Sequence, residues 1–345
     1  MSTTTNSSGS KISWLFQWGV GILLTGVAIF ILSRVIDLKE FVTVFRSLPL
    51  ETLLIVWLIY LVSMVIRAWG WQNLLQRRVG LWRAVLLMNE GYFLNNILPF
   101  RLGEFGRAYL AGKHGKSGTF SAFSTVVVER AYDLAFASFL LLASLPFALQ
   151  MQWAQNAALI LFGGIVAGLV VLYLAAHRRE NIEQKVIRIS ERSAFVKRWI
   201  YPTIHGMLDG FAVLTRFEFF IFSLLGIGFS WFLAIFRDFF VLRALSPDIP
   251  FWVTLLAISS SNLGGALPSM AASLGTFEGA ATGALSLIGL KPELGLVYAL
   301  VIHIIHLVST TIIGGIGISQ EGKTIQQLIT ELRTSQRSSL NANSD

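Results

Sequence analysis

Arg101, Glu104 and Arg107 recur at three-residue spacing in an otherwise apolar chain. On a helix that spacing places all three on one face. Two guanidinium forks beside a helix start suit a phosphate: the forks bind its oxygens in pairs, and the first helical turn offers unpaired N–H groups. Pro99 stands just ahead of such a helix, and Asn95 and Asn96 add amide donors before it. The same trio also works as an ion-pair ladder that pins its own segment. A second group, Glu129, Arg130 and Asp133, fits within one helical turn and reads either as a salt bridge to the first group or as interfacial charge. Glu278 stands alone among Gly275, Gly279, Ala280 and Ala281. A carboxylate buried there pairs with an arginine from elsewhere, stays protonated, or releases a proton as part of transport. Arg237 and Asp238, with His303 and His306, form a fourth group. Two histidines without a third ligand read as a hydrogen-bonded structural pair rather than a metal site. GxSxG, HExxH and Walker patterns are absent, so no catalytic residue, cofactor or metal is assigned.

These charges matter because of what surrounds them. Of 345 residues, 54% are apolar and 13% charged, against roughly a quarter charged in soluble domains, and the mean hydropathy is +0.66. That composition excludes an ordinary soluble enzyme, a disordered chain and a fibrous protein. With no cysteine, disulfides, thiolate catalysis and Cys-ligated metals are excluded as well. The net charge of +8 reads as cytoplasmic loops facing anionic lipid, not as nucleic-acid binding. An ionisable group at the bilayer centre costs roughly 2.5 kcal/mol or more, so each one there is a site candidate.

The elements that must position them follow from apolar run lengths. Residues 1–11 read as a disordered tail, and 12–32 as a first, retained transmembrane helix. Leu50–Ile66 is a second span, ended by Arg67, Trp69 and Trp71. Residues 84–98 and 100–112 are each too short to cross about 30 Å of hydrocarbon. Both carry polar groups and they meet at Pro99, which predicts a re-entrant hairpin. The 44 residues from Leu134 to His177 hold no Asp, Glu, Lys or Arg and predict two spans around a short loop. Residues 177–216 hold eight Lys and Arg against four Asp and Glu. They read as a cytoplasmic loop with an amphipathic surface helix through Ile182, Val186 and Ile189. Phe217–Leu242 is a fifth span, the segment around Pro268 a second hairpin, and Glu293–Ile318 a sixth span. The expected fold is an all-α polytopic membrane protein: six transmembrane helices plus two re-entrant hairpins in an inverted-topology repeat. A single domain covers 12–320, with halves of about 12–150 and 151–318 and a cytoplasmic tail over 321–345. The competing arrangement is eight independent spans. Both termini are expected on the cytoplasmic side of the cell (inner or plasma) membrane.

Three motifs carry a resemblance: NNILPFRLGEFGRAYL (95–110), VVERAYD (127–133) and LPSMAASLGTFEGA (267–280). They resemble the transmembrane region of lysylphosphatidylglycerol synthases, a flippase-like family. Asn95, Pro99, Arg101, Gly103, Glu104 and Arg107 match the first motif; Glu129, Arg130 and Asp133 the second; Pro268, Gly275 and Glu278 the third. The third departs from the usual P-x-x-P-G-x-x-G-x-x-E, with Ala271 and Ala272 where Pro-Gly is expected, which predicts a softer break in hairpin two. The resemblance implies movement of a lipid headgroup between leaflets. The soluble domain that transfers lysine in the full-length synthases has no counterpart here, so aminoacyl transfer is not implied.

The expected headgroup-binding residues are Arg101, Arg107, Glu104, Asn95, Arg130 and Glu278. Asn96, Pro99, Gly103, Glu129, Asp133, Pro268, Gly275 and Arg237 support them. Membrane lipids are the expected partners. Small-residue stripes at Gly163-Gly164 and Gly314-Gly315 permit a homo-oligomer. Two rival readings stand beside lipid translocation. One is an enzyme or accessory factor acting on a polyprenyl-phosphate in envelope or glycan assembly. The other is a scaffold that recruits a separate lipid-modifying synthase through 177–216.

Overall fold

The structure, a computed structural model, describes residues 36–98, 101–148, 152–190, 200–267 and 271–321, together with Phe30, Arg34 and Val196. The expected first span, Pro99, Pro268 and nearly all of the C-terminal tail lie outside the described residues. Among the described residues the chain is helical throughout, without strands. The helices are α1 (Leu38–Arg46), α2 (Leu50–Leu74), α3 (Leu81–Ile97), α4 (Leu102–His114), α5 (Thr119–Ala148), α6 (Gln152–His177), α7 (Arg179–Ser190), α8 (Tyr201–Phe211), α9 (Phe217–Leu245), α10 (Phe251–Ala266), α11 (Thr276–Leu287) and α12 (Pro292–Gln320).

Five helices, α2, α5, α6, α9 and α12, are long and apolar enough to cross a membrane. They coincide with the expected second to sixth spans. Two boundaries differ: α5 starts at Thr119, well before the expected Leu134, so Glu129, Arg130 and Asp133 lie within the helix rather than at its start. α2 does not stop at Ile66 but continues to Leu74, which places Arg67 within the helix. A charge ends a span only when it must reach water, and Arg67 is neutralised inside the protein by Glu129 and Asp133. The helix expected in the 177–216 loop is present as α7.

The shorter helices pair off. α3 and α4 have 17 and 13 residues, and α10 and α11 have 16 and 12. At about 1.5 Å per residue each is roughly 18–26 Å long. Each pair is an antiparallel hairpin. Gly91 faces Arg107 while Asn95 faces Gly103, and Gly264 lies against both Thr276 and Ala280. Around them, α2 crosses α9 at Gly70 and Gly226. α3 packs on α12, α10 on α5, α4 on α5 and α11 on α12. One apolar cluster gathers Trp71, Leu74, Leu87, Val126 and Tyr132. A second gathers Val241, Leu242, Val253, Val297 and Tyr298. Arg101 at the start of α4 reaches the Gly265 carbonyl near the end of α10.

Both bends use left-handed backbone. Arg101 precedes α4 at φ 54°. In hairpin two, Ala272 (φ 59°), Ser273 (φ 56°) and Gly275 (φ 84°) turn the chain. The softer break expected from Ala271 and Ala272 is therefore not what the chain does. It reverses fully, and Ala272 occupies a region where its Cβ crowds the carbonyl. Ala272→Gly should relieve that crowding and stabilise the protein by about 1 kcal/mol. Ala272→Val should do the reverse. Thermal unfolding midpoints in detergent check this, and a lower midpoint for the glycine variant contradicts it.

Candidate functional site: a polar cavity between the hairpins

A cavity of about 250 Å³ lies where the two hairpin bends meet α2, α5, α9 and α12. Its floor is an ion-pair lattice built on α5. Glu129 and Asp133 sit one turn apart, and three guanidiniums from three helices converge on them. Arg67 of α2 donates from Nε (3.0 Å) and Nη2 (2.7 Å) to Glu129 Oε1, and Nη2 also reaches Asp133 at 2.5 Å. Arg130 donates to Glu129 Oε1 at 3.0 Å and lies 3.2 Å from Asp133. Arg107 of α4 meets Glu129 Oε2 at 2.7 Å. The indole of Trp231 donates to Asp133 Oδ1 at 2.9 Å. Such a lattice is stable away from water only because each buried charge faces its opposite within hydrogen-bonding distance.

The sequence-predicted residues divide by depth. Arg101, Glu104, Asn95 and Arg130 line the cavity. Arg107 does not. It is fully buried behind the wall, with its guanidinium over the rings of Trp71 (4.9 Å) and Tyr92 (5.8 Å). Arg101 sits outside the α4 helix proper, so it leaves the common face expected for the trio and bends across the cavity. There it donates to the Gly265 carbonyl of hairpin two. Its approach to Glu104 is only 3.6 Å, and that of Arg130 Nε to Glu104 is also 3.6 Å. Arg101 and Glu104 are thus the loosely paired charges of the site, whereas Arg130 is also held by Glu129 and Asp133. Asn95 lines the cavity, but its Oδ1 is buried toward Gly103 of α4 without a hydrogen-bond partner.

Glu278 has a different partner from the arginine considered above. Its Oε1 bonds to His303 Nδ1 of α12, and its Oε2 accepts the Gly275 N–H at 2.8 Å, capping α11. Arg237 is tied to its neighbour Asp238 at 2.7 Å, and Asp238 accepts from Tyr298 at 2.8 Å. Among the supporting residues, Asn96 donates to Thr310 Oγ1 at 3.0 Å and joins α3 to α12. Gly103 allows α4 to touch the backbone of α3.

Among the wall residues not assigned from the sequence are Arg67, Tyr60 and Tyr92, and His306, expected as a hydrogen-bonded structural residue, joins them there. Tyr92 accepts from Arg67 Nε at 3.2 Å, and Tyr60 and His306 share a 3.0 Å hydrogen bond. The signal for Arg67 was present. It is the one charge between Glu51 and Arg77, and the apolar pattern continues past it to Leu75.

No curated protein and no solved structure matches this chain. The family comparison does match, over residues 18–314, a stretch that contains both hairpins and every residue lining the cavity: the chain belongs to the family described as the lysylphosphatidylglycerol synthase TM region.

Proposed function

We propose that this multi-pass membrane protein is a lipid translocase that moves an anionic, phosphate-bearing headgroup between leaflets. The observation that carries the reading is the cavity. Arg67, Arg101, Arg130 and Arg237 face one small polar space inside a bundle whose outer surface is apolar. Charges are expensive in such a bundle, and a balanced set of them gathered around an open polar space fits a ligand that exchanges contacts with them. Guanidinium forks match phosphate oxygens. The volume of about 250 Å³ falls below the roughly 300–1,000 Å³ of pockets that enclose drug-sized molecules. It suits a headgroup whose acyl tails stay in lipid, and suits a large glycan on a polyprenyl-diphosphate poorly.

The architecture of this reading is an inverted repeat of two spans, a hairpin and a span. In it α2 corresponds to α9, the α3/α4 hairpin to α10/α11, and α5 to α12. The packing supports the correspondence. α2 lies on α9, the contact of α3 with α12 is matched by α10 with α5, and that of α4 with α5 by α11 with α12. Both hairpins are then re-entrant, one from each side, and both termini are cytoplasmic. The headgroup enters at Arg101, where the two bends touch, and alternating access is a rocking of one half against the other.

Reconstituted into liposomes, the wild type should move fluorescent anionic phospholipid between leaflets. A charge-assisted hydrogen bond contributes about 1.5–3 kcal/mol, so Arg101→Ala should slow movement roughly ten- to a hundredfold while leaving the unfolding midpoint near wild type. Wild-type rates in that variant would remove Arg101 from the site. No movement by the folded wild type with several lipids would remove the translocase reading.

A further inference from the structure

The charges in and directly behind the cavity wall balance. Five guanidiniums, Arg67, Arg101, Arg107, Arg130 and Arg237, face five carboxylates, Glu104, Glu129, Asp133, Asp238 and Glu278. With His303 and His306 neutral the site is neutral, and an entering monoanion would leave one negative charge unmatched inside the membrane. That charge is costly there unless a cation arrives with it.

One place in the wall is built to take such a cation. Four of the five carboxylates face guanidiniums. Glu129 holds Arg67, Arg107 and Arg130. Asp133 holds Arg67 and Arg130, Glu104 faces Arg101 and Arg130, and Asp238 holds Arg237. Glu278 is instead bonded to an imidazole, the side chain whose ordinary titration lies nearest neutrality. The pair is almost wholly buried, at 3% exposure for Glu278 and 6% for His303. His303 and Phe277 nevertheless form part of the cavity wall, with the two rings 5.1 Å apart. The groups sharing that wall are Tyr60 and Arg67 of α2, Tyr92 of α3, Arg101 and Glu104 at the start of α4, Arg130 and Asp133 of α5, Arg237 and Asp238 of α9, and His306 of α12, with Asn262 but no titratable group from α10. None of them puts an arginine on Glu278.

We infer that the Glu278–His303 pair is a proton-binding site, and that each monoanionic headgroup crosses with one proton held there. This rests on the translocase reading and names the co-transported ion. The proton takes the imidazole–carboxylate pair from one negative charge to none, which offsets the charge of the headgroup. By linkage, headgroup and proton raise each other's affinity. The complex that crosses is neutral, so a pH gradient drives it and a membrane potential does not.

The test uses the full chain in phosphatidylcholine vesicles with fluorescent phosphatidylglycerol as probe. For one proton per headgroup, a gradient of one pH unit should hold the labelled lipid at about a tenfold ratio across the leaflets. Reversing the gradient should reverse the ratio, and an imposed potassium diffusion potential should leave it unchanged. Glu278→Gln keeps an acceptor for the Gly275 N–H and a partner for His303 but does not bind the proton, so its ratio should be one under either gradient. His303→Gln should behave alike and replaces it should Glu278→Gln not fold by thermal unfolding. Lipid that crosses but distributes equally in the wild type under both gradients overturns the proton site and leaves the translocase reading standing. A tenfold ratio retained in either folded variant also overturns it. Absence of any crossing overturns both.

Discussion

Glu129→Gln should destabilise the protein by about 3–5 kcal/mol, a range expected when one member of a buried ion pair is removed and its partners remain. Glu129 is fully buried and takes Arg67, Arg107 and Arg130 from three different helices. Arg67 and Arg130 keep Asp133, but Arg107 has no other carboxylate partner among the described residues, and none of its three guanidinium nitrogens makes a hydrogen bond, its approach to Glu129 being an ion pair alone. It would be left as a fully buried cation over Trp71 and Tyr92. Glutamine offers one neutral oxygen where the carboxylate shared a full charge between two. The comparison variant is Glu104→Gln, whose contacts with Arg101 and Arg130 are both 3.6 Å and whose loss should cost about 1 kcal/mol or less. Unfolding midpoints in detergent separate the two. A Glu129→Gln protein as stable as Glu104→Gln would mean that the lattice on α5 does not hold the helices together. Combining Glu129→Gln with Arg107→Met should recover part of the loss, because the stranded charge goes with it.

That contrast also marks what the sequence could and could not reveal. Hydropathy located the spans because a run of about 20 apolar residues has few uses besides crossing a bilayer. The hairpins were legible because Asn95, Glu104 and Arg107 on one side of Pro99 or the other cannot face lipid. Which charges touch which was not legible, since pairing depends on helix rotation and depth, and hydropathy reports neither. Arg67 was read as the end of a span because a lone arginine ordinarily reaches for water. The information that it stays inside lay 62 residues away, in Glu129. Arg107 and Arg101 looked equivalent at i and i+6, yet the left-handed backbone at Arg101 takes its side chain off the helical face and across to Gly265. Glu278 and His303 were both noticed, but their pairing joins α11 to α12 and has no local signature.

Gly103→Ala should cost about 3 kcal/mol or more, the upper range for an inserted methyl group that its surroundings cannot accommodate. A Cβ at this position would stand 2.1 Å from the Gly91 carbonyl oxygen and 2.6 Å from the Asn95 amide nitrogen. Both obstacles are backbone of α3, so no side chain can rotate away and the two arms of hairpin one must separate. Separation would carry Arg101 and Glu104 away from Arg130 and draw Arg107 off Glu129, so the loss should appear in both stability and transport. Gly315→Ala on α12 provides the control. Nothing lies within 4 Å of the added carbon there, and alanine improves helix propensity by about 1 kcal/mol, so that variant should be no less stable than wild type. The hairpin geometry predicts a wide gap between the two unfolding midpoints. Equal midpoints would mean that α3 and α4 do not touch at Gly103, and the placement of Arg101 at the mouth of the cavity would go with that contact.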